Sequence, residues 1–307
     1  MELSSSSKSV VADCEERNWK DLPRDVLCTV FQKLGAIEIL TRAQCVCSVW
    51  RTISKDPLLW CTIDMNNSVY MDFQLEIMCR RAIDYSCGHL LHINIENFGT
   101  DDLLRHITDS TNRLQCLRLA CCYQISDKGL CDVAKKLSQL EELDMSTSNF
   151  TKDSLEAIGR CCPLLKSLKF NMQCYGRSYM ECDEEAFAIA KTMPGLRHLQ
   201  LFGNNLTNDG LLAILDGCPH LESLDLRQCF HVKLGGSLSK RCAEQIKDLR
   251  IPYNLTEEYP FEAEIDYGSL DEDYPYRLSD LDFLSYDHYD HYEFSGGSDS
   301  SECDYDN

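Results

Sequence analysis

The sequence predicts an α/β solenoid, a curved array of about seven strand-plus-helix repeats with a three-helix module before it and an acidic tail behind it. Three observations carry this. The pattern L-x-x-L-x-L recurs seven times at a near-constant interval. All three tryptophans lie before residue 61, in a short apolar segment. Charge collects at one end: from Tyr253 to Asn307, 17 Asp and Glu stand against Arg277 alone, which is −16 of the chain's −20.

Taken in order, residues 1–17 are polar and predicted to be disordered. Residues 18–64 read as three short helices. LPRDVLCTVFQKLG places Pro23 at a first helical position, Asp25 in the first turn and Gly35 at the stop. Its apolar residues form two adjoining stripes, Leu27, Phe31 and Leu34 beside Val26 and Val30. A second helix covers IEILTRAQ. A third runs through CSVWRTISK, with Val46, Val49, Trp50 and Ile53 at helical spacing and Pro57 beyond its end. A module of 45 or so residues buries too little surface to hide both stripes. The excess is expected to pack on the adjacent array or on another protein.

Residues 65–252 hold the repeats: LLHINI, LQCLRL, LEELDM, LKSLKF, LRHLQL, LESLDL and IKDLRI. Successive starts are separated by 24, 26, 25, 31, 25 and 25 residues, the outlier matching a polar insertion at 173–184. Each unit resembles a leucine-rich repeat, whose ninth position carries Asn or Cys. Cys122, Asn204, Cys229 and Asn254 occupy it, while Phe98, Ser148 and Gln173 depart from it, predicting looser turns. Alternating leucines point inward from one short strand per repeat, and helix-like stretches such as TNDGLLAILDGC follow. Seven strands about 4.8 Å apart make a parallel sheet roughly 29 Å wide. Leu137, Cys162, Met193 and Cys218 each precede the next repeat's first leucine by three residues, a buried slot in which cysteine acts as a small hydrophobe.

NWKDLPRDVLCTVFQKLGAIEILTRAQCVCSVWRTISKDPLLWCTIDM resembles an F-box, with LP near its start, V-C-x-x-W-R at the third helix and P-L-L-W at its end. With the repeats, the resemblance covers residues 18–252 and is to F-box/leucine-rich-repeat proteins, closest in style to the short plant members. It implies a non-catalytic substrate receptor of an SCF-type ubiquitin ligase, bound to a Skp-type adaptor and through it to cullin and RING subunits. By resemblance, Leu22, Pro23, Val26, Leu27, Phe31 and Leu34 are adaptor contacts or their supports. Val46, Cys47, Trp50 and Trp60 join them, with packing inside the module as the alternative for the tryptophans. The repeat residues flanking the inward leucines face the concave side, where a protein target is expected to bind. The candidates are Arg118, Lys169, His198, Gln200, Phe202, Asp225, Arg227 and Arg250, with Phe202 beside Arg227 as the expected anchor.

Composition excludes other classes. The first 252 residues carry 33 acids against 29 bases, so an almost neutral body with an acidic tail predicts neither nucleic-acid nor membrane binding. No apolar run is long enough to span a bilayer, and MELSSSSKSVVADCEER lacks a secretory h-region. The 19 cysteines therefore read as reduced thiols in nucleus or cytoplasm. No cofactor or metal is predicted: CxxC, Walker-type and GxSxG motifs are absent, Cys45 and Cys47 make only a CxC, and His288 and His291 lie in the acidic tail. Two other readings compete. One is a repeat scaffold or inhibitor in which residues 18–64 are a structural cap. The other is an enzyme using a thiolate at Cys116 beside Arg118.

Overall fold

The computed structural model describes residues 22–66, 72–172 and 180–254. The expectations for residues 1–21, Gln173, His288, His291 and the acidic tail fall outside them.

The N-terminal helices form where the apolar spacing places them. α1 spans Arg24–Leu34. Pro23 sits one residue earlier than predicted, outside the helix, with its carbonyl accepting the Leu27 N–H at 3.1 Å. Gly35 ends α1 at φ +83°, a left-handed turn that a side chain would strain. α2 (Ala36–Glu38), a π-turn (Ile39–Ala43) and α3 (Gln44–Val46) run on as one helical stretch. Cys47 breaks it in extended conformation, and its sulfur caps α4 (Ser48–Ile53) by accepting the Trp50 N–H at 3.5 Å. A 3₁₀ turn, Pro57–Trp60, leads out of the module, started by the Asp56 carboxylate, which accepts the Leu58 N–H at 3.1 Å.

Then comes a strand that the repeat pattern did not predict. β1 (Thr62–Asp64) is the first of eight parallel strands, rather than seven, among the described residues. The others are β2 (His92–Glu96), β3 (Cys116–Ala120), β4 (Glu142–Asp144), β5 (Ser167–Lys169), β6 (His198–Gln200), β7 (Ser223–Asp225) and β8 (Asp248–Arg250). They lie side by side in chain order. Register pairs Ile63 with Ile93, then Leu117, Leu143, Leu168, Leu199, Leu224 and Leu249. Carried back three residues, that register puts Trp60 in the slot held by Leu90 in the next repeat, and carried forward two it puts Met65 beside Ile95. W-x-x-I-x-M is therefore a degenerate first repeat. At about 4.8 Å per strand the sheet is roughly 34 Å wide, not 29 Å.

Helices α5 (Asp72–Ser86), α6 (Asp101–Ser110), α7 (Asp127–Val133), α8 (Lys152–Cys161), α9 (Glu184–Thr192), α10 (Asn208–Gly217) and α11 (Gly236–Gln245) stack along the other side. Between them and the strands runs one apolar core reaching from Leu27 to Ile246. Leu90, Leu114, Leu140, Leu165, Leu196, Leu221 and Ile246 are buried, as are the predicted slot residues Leu137, Cys162, Met193 and Cys218. The 16 cysteines among the described residues are free thiols. Burial drives the Cys162 thiol up to about 12 and Cys218 up to about 11, consistent with hydrophobic filling rather than reactivity.

Adjacent helices are also tied by a polar ladder. Ser126 caps α7 and gives its own N–H and hydroxyl to Asp101 on α6, at 2.8 and 2.7 Å. Thr151 does the same to Asp127 on α7, at 2.9 and 2.8 Å, and Thr207 to Asp183 before α9, at 2.7 Å each. Ser148, a departure from the ninth-position pattern, does not loosen its turn. Its hydroxyl accepts the Cys122 N–H at 3.1 Å and donates to the Leu119 carbonyl at 3.0 Å, the work assigned to Asn or Cys.

Candidate functional site

Two surfaces collect the residues singled out by sequence. The first is the helical module, where burial separates exposed side chains from packed ones. Leu27 and Phe31 are 1% and 0% exposed and lie in the core. Neither presents a surface, so of the two roles the resemblance leaves open for them packing stands and contact is corrected: α1 turns that stripe toward α4, where Phe31 meets Trp50 edge-on at 5.2 Å between ring centroids. Trp60 takes the packing alternative and not the contact. It is 1% exposed, its indole N–H donates to the Ser54 carbonyl at 2.8 Å and its ring packs on Tyr85 at 5.8 Å. Leu22, Cys47 and Trp50 are half-buried. What faces outward is Pro23, Val26, Leu34 and Val46, joined by Val49 and Leu58, which had not been assigned as contacts. The signal for Val49 was available, since it shares the helical spacing that was credited to Trp50.

The second surface is the strand face opposite the helices. Its registered rows bring the predicted residues together. One row reads Asp64, Asn94, Arg118, Asp144, Lys169, Gln200, Asp225 and Arg250. Neighbouring strands compensate one another along it: Arg118 reaches Glu96 at 3.2 Å and Asp144 at 3.4 Å, and Lys169 reaches Asp144 at 3.9 Å. The carboxylates are largely buried, Glu96 14% and Asp144 11% exposed at the side chain, so their desolvation offsets much of the attraction. The consequence of these contacts is to hold the side chains in place.

The expected anchor is corrected. Phe202 is 1% exposed and Arg227 3%, so neither presents a surface. The chain turns inward past the ends of β6 and β7. There the guanidinium of Arg227 lies 5.6 Å from the Phe202 ring centre and donates to both oxygens of Asp225, at 3.0 and 2.7 Å. Asp225, itself 7% exposed, is thus the buried partner of an ion pair and not a contact residue. Lys169 and His198 are exposed, Gln200 and Arg250 half-buried.

Cys116, the candidate nucleophile, stands on β3 in the wrong electrostatic setting. Burial, then the Glu142 and Asp144 carboxylates, push its thiol up to about 11. A nucleophilic cysteine needs the reverse. We expect iodoacetamide to label Cys116 at least tenfold more slowly than exposed Cys45 or Cys87 near neutral pH, read by peptide mass spectrometry. Faster labelling of Cys116 would revive the enzyme reading. Among the described residues no group of three His, Cys, Asp or Glu side chains is arranged to hold a metal, and no helix is long and apolar enough to cross a membrane.

Comparison with known proteins bears on both surfaces. A family model described as F-box-like matches residues 19–66, and one described as a Leucine Rich repeat matches 194–215. The F-box protein SKIP19 of Arabidopsis thaliana is 46% identical over 309 residues, covering 100% of this chain and 99% of its own. The putative F-box/LRR-repeat protein 23 of the same plant is 48% identical over 250 residues, covering 80% of this chain and 55% of its own. Among solved structures, the yeast Rad7 and Elc1 complex aligns over 74% of this chain and 86% of the matched chain, at 10% identity and a TM-score of 0.31. With an F-box match on the helical module, a repeat match on the array and full-length similarity to SKIP19, the chain belongs to the F-box/leucine-rich-repeat family.

Proposed function

We propose that this chain is the substrate-recognition subunit of an SCF-type E3 ubiquitin ligase. Its helical module docks a Skp-type adaptor, and through it cullin and RING subunits. Its strand face holds the protein to be ubiquitinated for proteasomal degradation. The chain itself performs no bond chemistry in this role.

One observation carries the reading. Val26, Leu34, Val46, Val49 and Leu58 remain 41–65% exposed on a module whose other side is sealed into the repeat core. So many large aliphatic side chains on so short a segment suit an interface better than open water. Exposed positions also make the test clean. Val26→Glu/Leu34→Glu should fold normally and lose at least about tenfold in adaptor capture, because each carboxylate would be desolvated without a partner. Capture by purified Skp adaptor, with circular dichroism as the folding control, reads the outcome. Undiminished capture by the folded double variant would reject the docking assignment.

The scaffold or inhibitor reading is favoured by a specific feature, since Trp60, Ile63 and Met65 make the module a cap on the array. Under that reading the natural chain captures no adaptor at all. Capping and docking use different sides of the module, so the first role does not exclude the second.

A further inference from the structure

The strand face is electrically divided. Over β1–β4 it carries Asp64, Glu96, Glu142 and Asp144 against Arg118. Over β5–β8 Lys169 and Arg250, with Arg227 buried beneath them, stand against Asp225 and Asp248, so the acidic excess is gone. There a cleft of about 220 Å³ is lined by Ser167, Lys169, His198, Gln200, Asp248 and Arg250, with Asp225 at its floor. The Asp225 carboxylate is already committed to Arg227, which also donates its backbone N–H to it at 3.0 Å. Asp248 accepts the Ser223 hydroxyl at 3.2 Å. Lys169 is 51% exposed at its side chain and only 3.9 Å from its nearest carboxylate, Asp144. The volume is below the roughly 300–1,000 Å³ of small-molecule sites and suits one or two amino-acid side chains.

We propose that this cleft selects an acidic peptide segment of the target, taking an Asp or Glu side chain between Lys169, His198 and Arg250. The hydroxyl of Ser167 and one amide N–H of Gln200, the amide already donating to Asp225 at 3.4 Å, are the neutral donors beside them. The carboxylates over β1–β4 repel the same segment, so it is directed to one end of the face rather than spread along it. This inference rests on the strand face being the target-binding face proposed above, and it specifies the chemistry of what binds there.

The test uses the full chain on an immobilised library of degenerate, unphosphorylated decapeptides. Asp and Glu should be selected over Asn and Gln by roughly three- to tenfold, the size expected of partly exposed charge pairs. Lys169→Glu should abolish that selection and shift it toward Lys and Arg, a gain that unfolding cannot mimic. The natural chain selecting no acidic residues, or Lys169→Glu leaving the preference unchanged, would overturn the proposal. Adaptor capture measured on the same proteins separates the two readings. Lost acidic selection with intact capture removes only the cleft assignment, and intact selection without capture removes only the ligase reading.

Discussion

Trp60→Ala is expected to lower the unfolding free energy by about 3–5 kcal/mol, the largest loss of any single side chain considered. The residue fills the first-leucine slot of the repeat that begins with β1, so its removal opens the array at its N-terminal end. It also strands a buried carbonyl, because the indole N–H donates to Ser54 at 2.8 Å. For a folded unit of this size the thermal midpoint should fall by roughly 6–20 °C. Trp60→Phe should fall by much less, since it keeps an aromatic body against Tyr85 and forfeits mainly the hydrogen bond. Equal losses from the two variants, or a loss under about 1 kcal/mol for alanine, would show that the plug is not what stabilises this end.

Gly217→Ala is expected to cost about 2–3 kcal/mol, against the ordinary rule that alanine favours a helix over glycine by about 1 kcal/mol. A Cβ at Gly217 would stand 2.2 Å from the Ala190 carbonyl oxygen and 2.6 Å from its carbon. Those are backbone atoms of α9 and have no rotamer to escape into. The control is Gly195→Ala, whose added carbon would meet only the Leu165 carbonyl oxygen, at an ordinary 3.7 Å. Thermal denaturation should therefore rank Gly217→Ala well below Gly195→Ala. The reverse order would mean that α9 and α10 can part at little cost.

The repeats were legible because a strand buried on one face must alternate, and seven segments alternate with leucine. β1 was missed because tryptophan, isoleucine and methionine hold the same three slots without looking like leucines. Spacing alone would have found it, since Ile63 precedes Ile93 by 30 residues, an interval close to the 31 already accepted elsewhere. On α1 the pattern gave two stripes but not which one faces inward. That choice depends on where Trp50 lies, which is tertiary information. Phe202 and Arg227 were misassigned for a related reason. Alternation predicts side-chain direction only along a strand, and both lie past strand ends, where the backbone turns and the pair folds in on Asp225.

The ladder of Asp101, Asp127 and Asp183 has a direction. Each carboxylate belongs to an earlier segment and receives the cap of a later helix. Stripping the array from its C-terminal end exposes a carboxylate to water, where it is content, whereas stripping it from the other end deprives the next helix of the group that orients its first turn. A ribosome delivers the chain in that same order, so each newly emerged helix finds its acceptor already built by its predecessor.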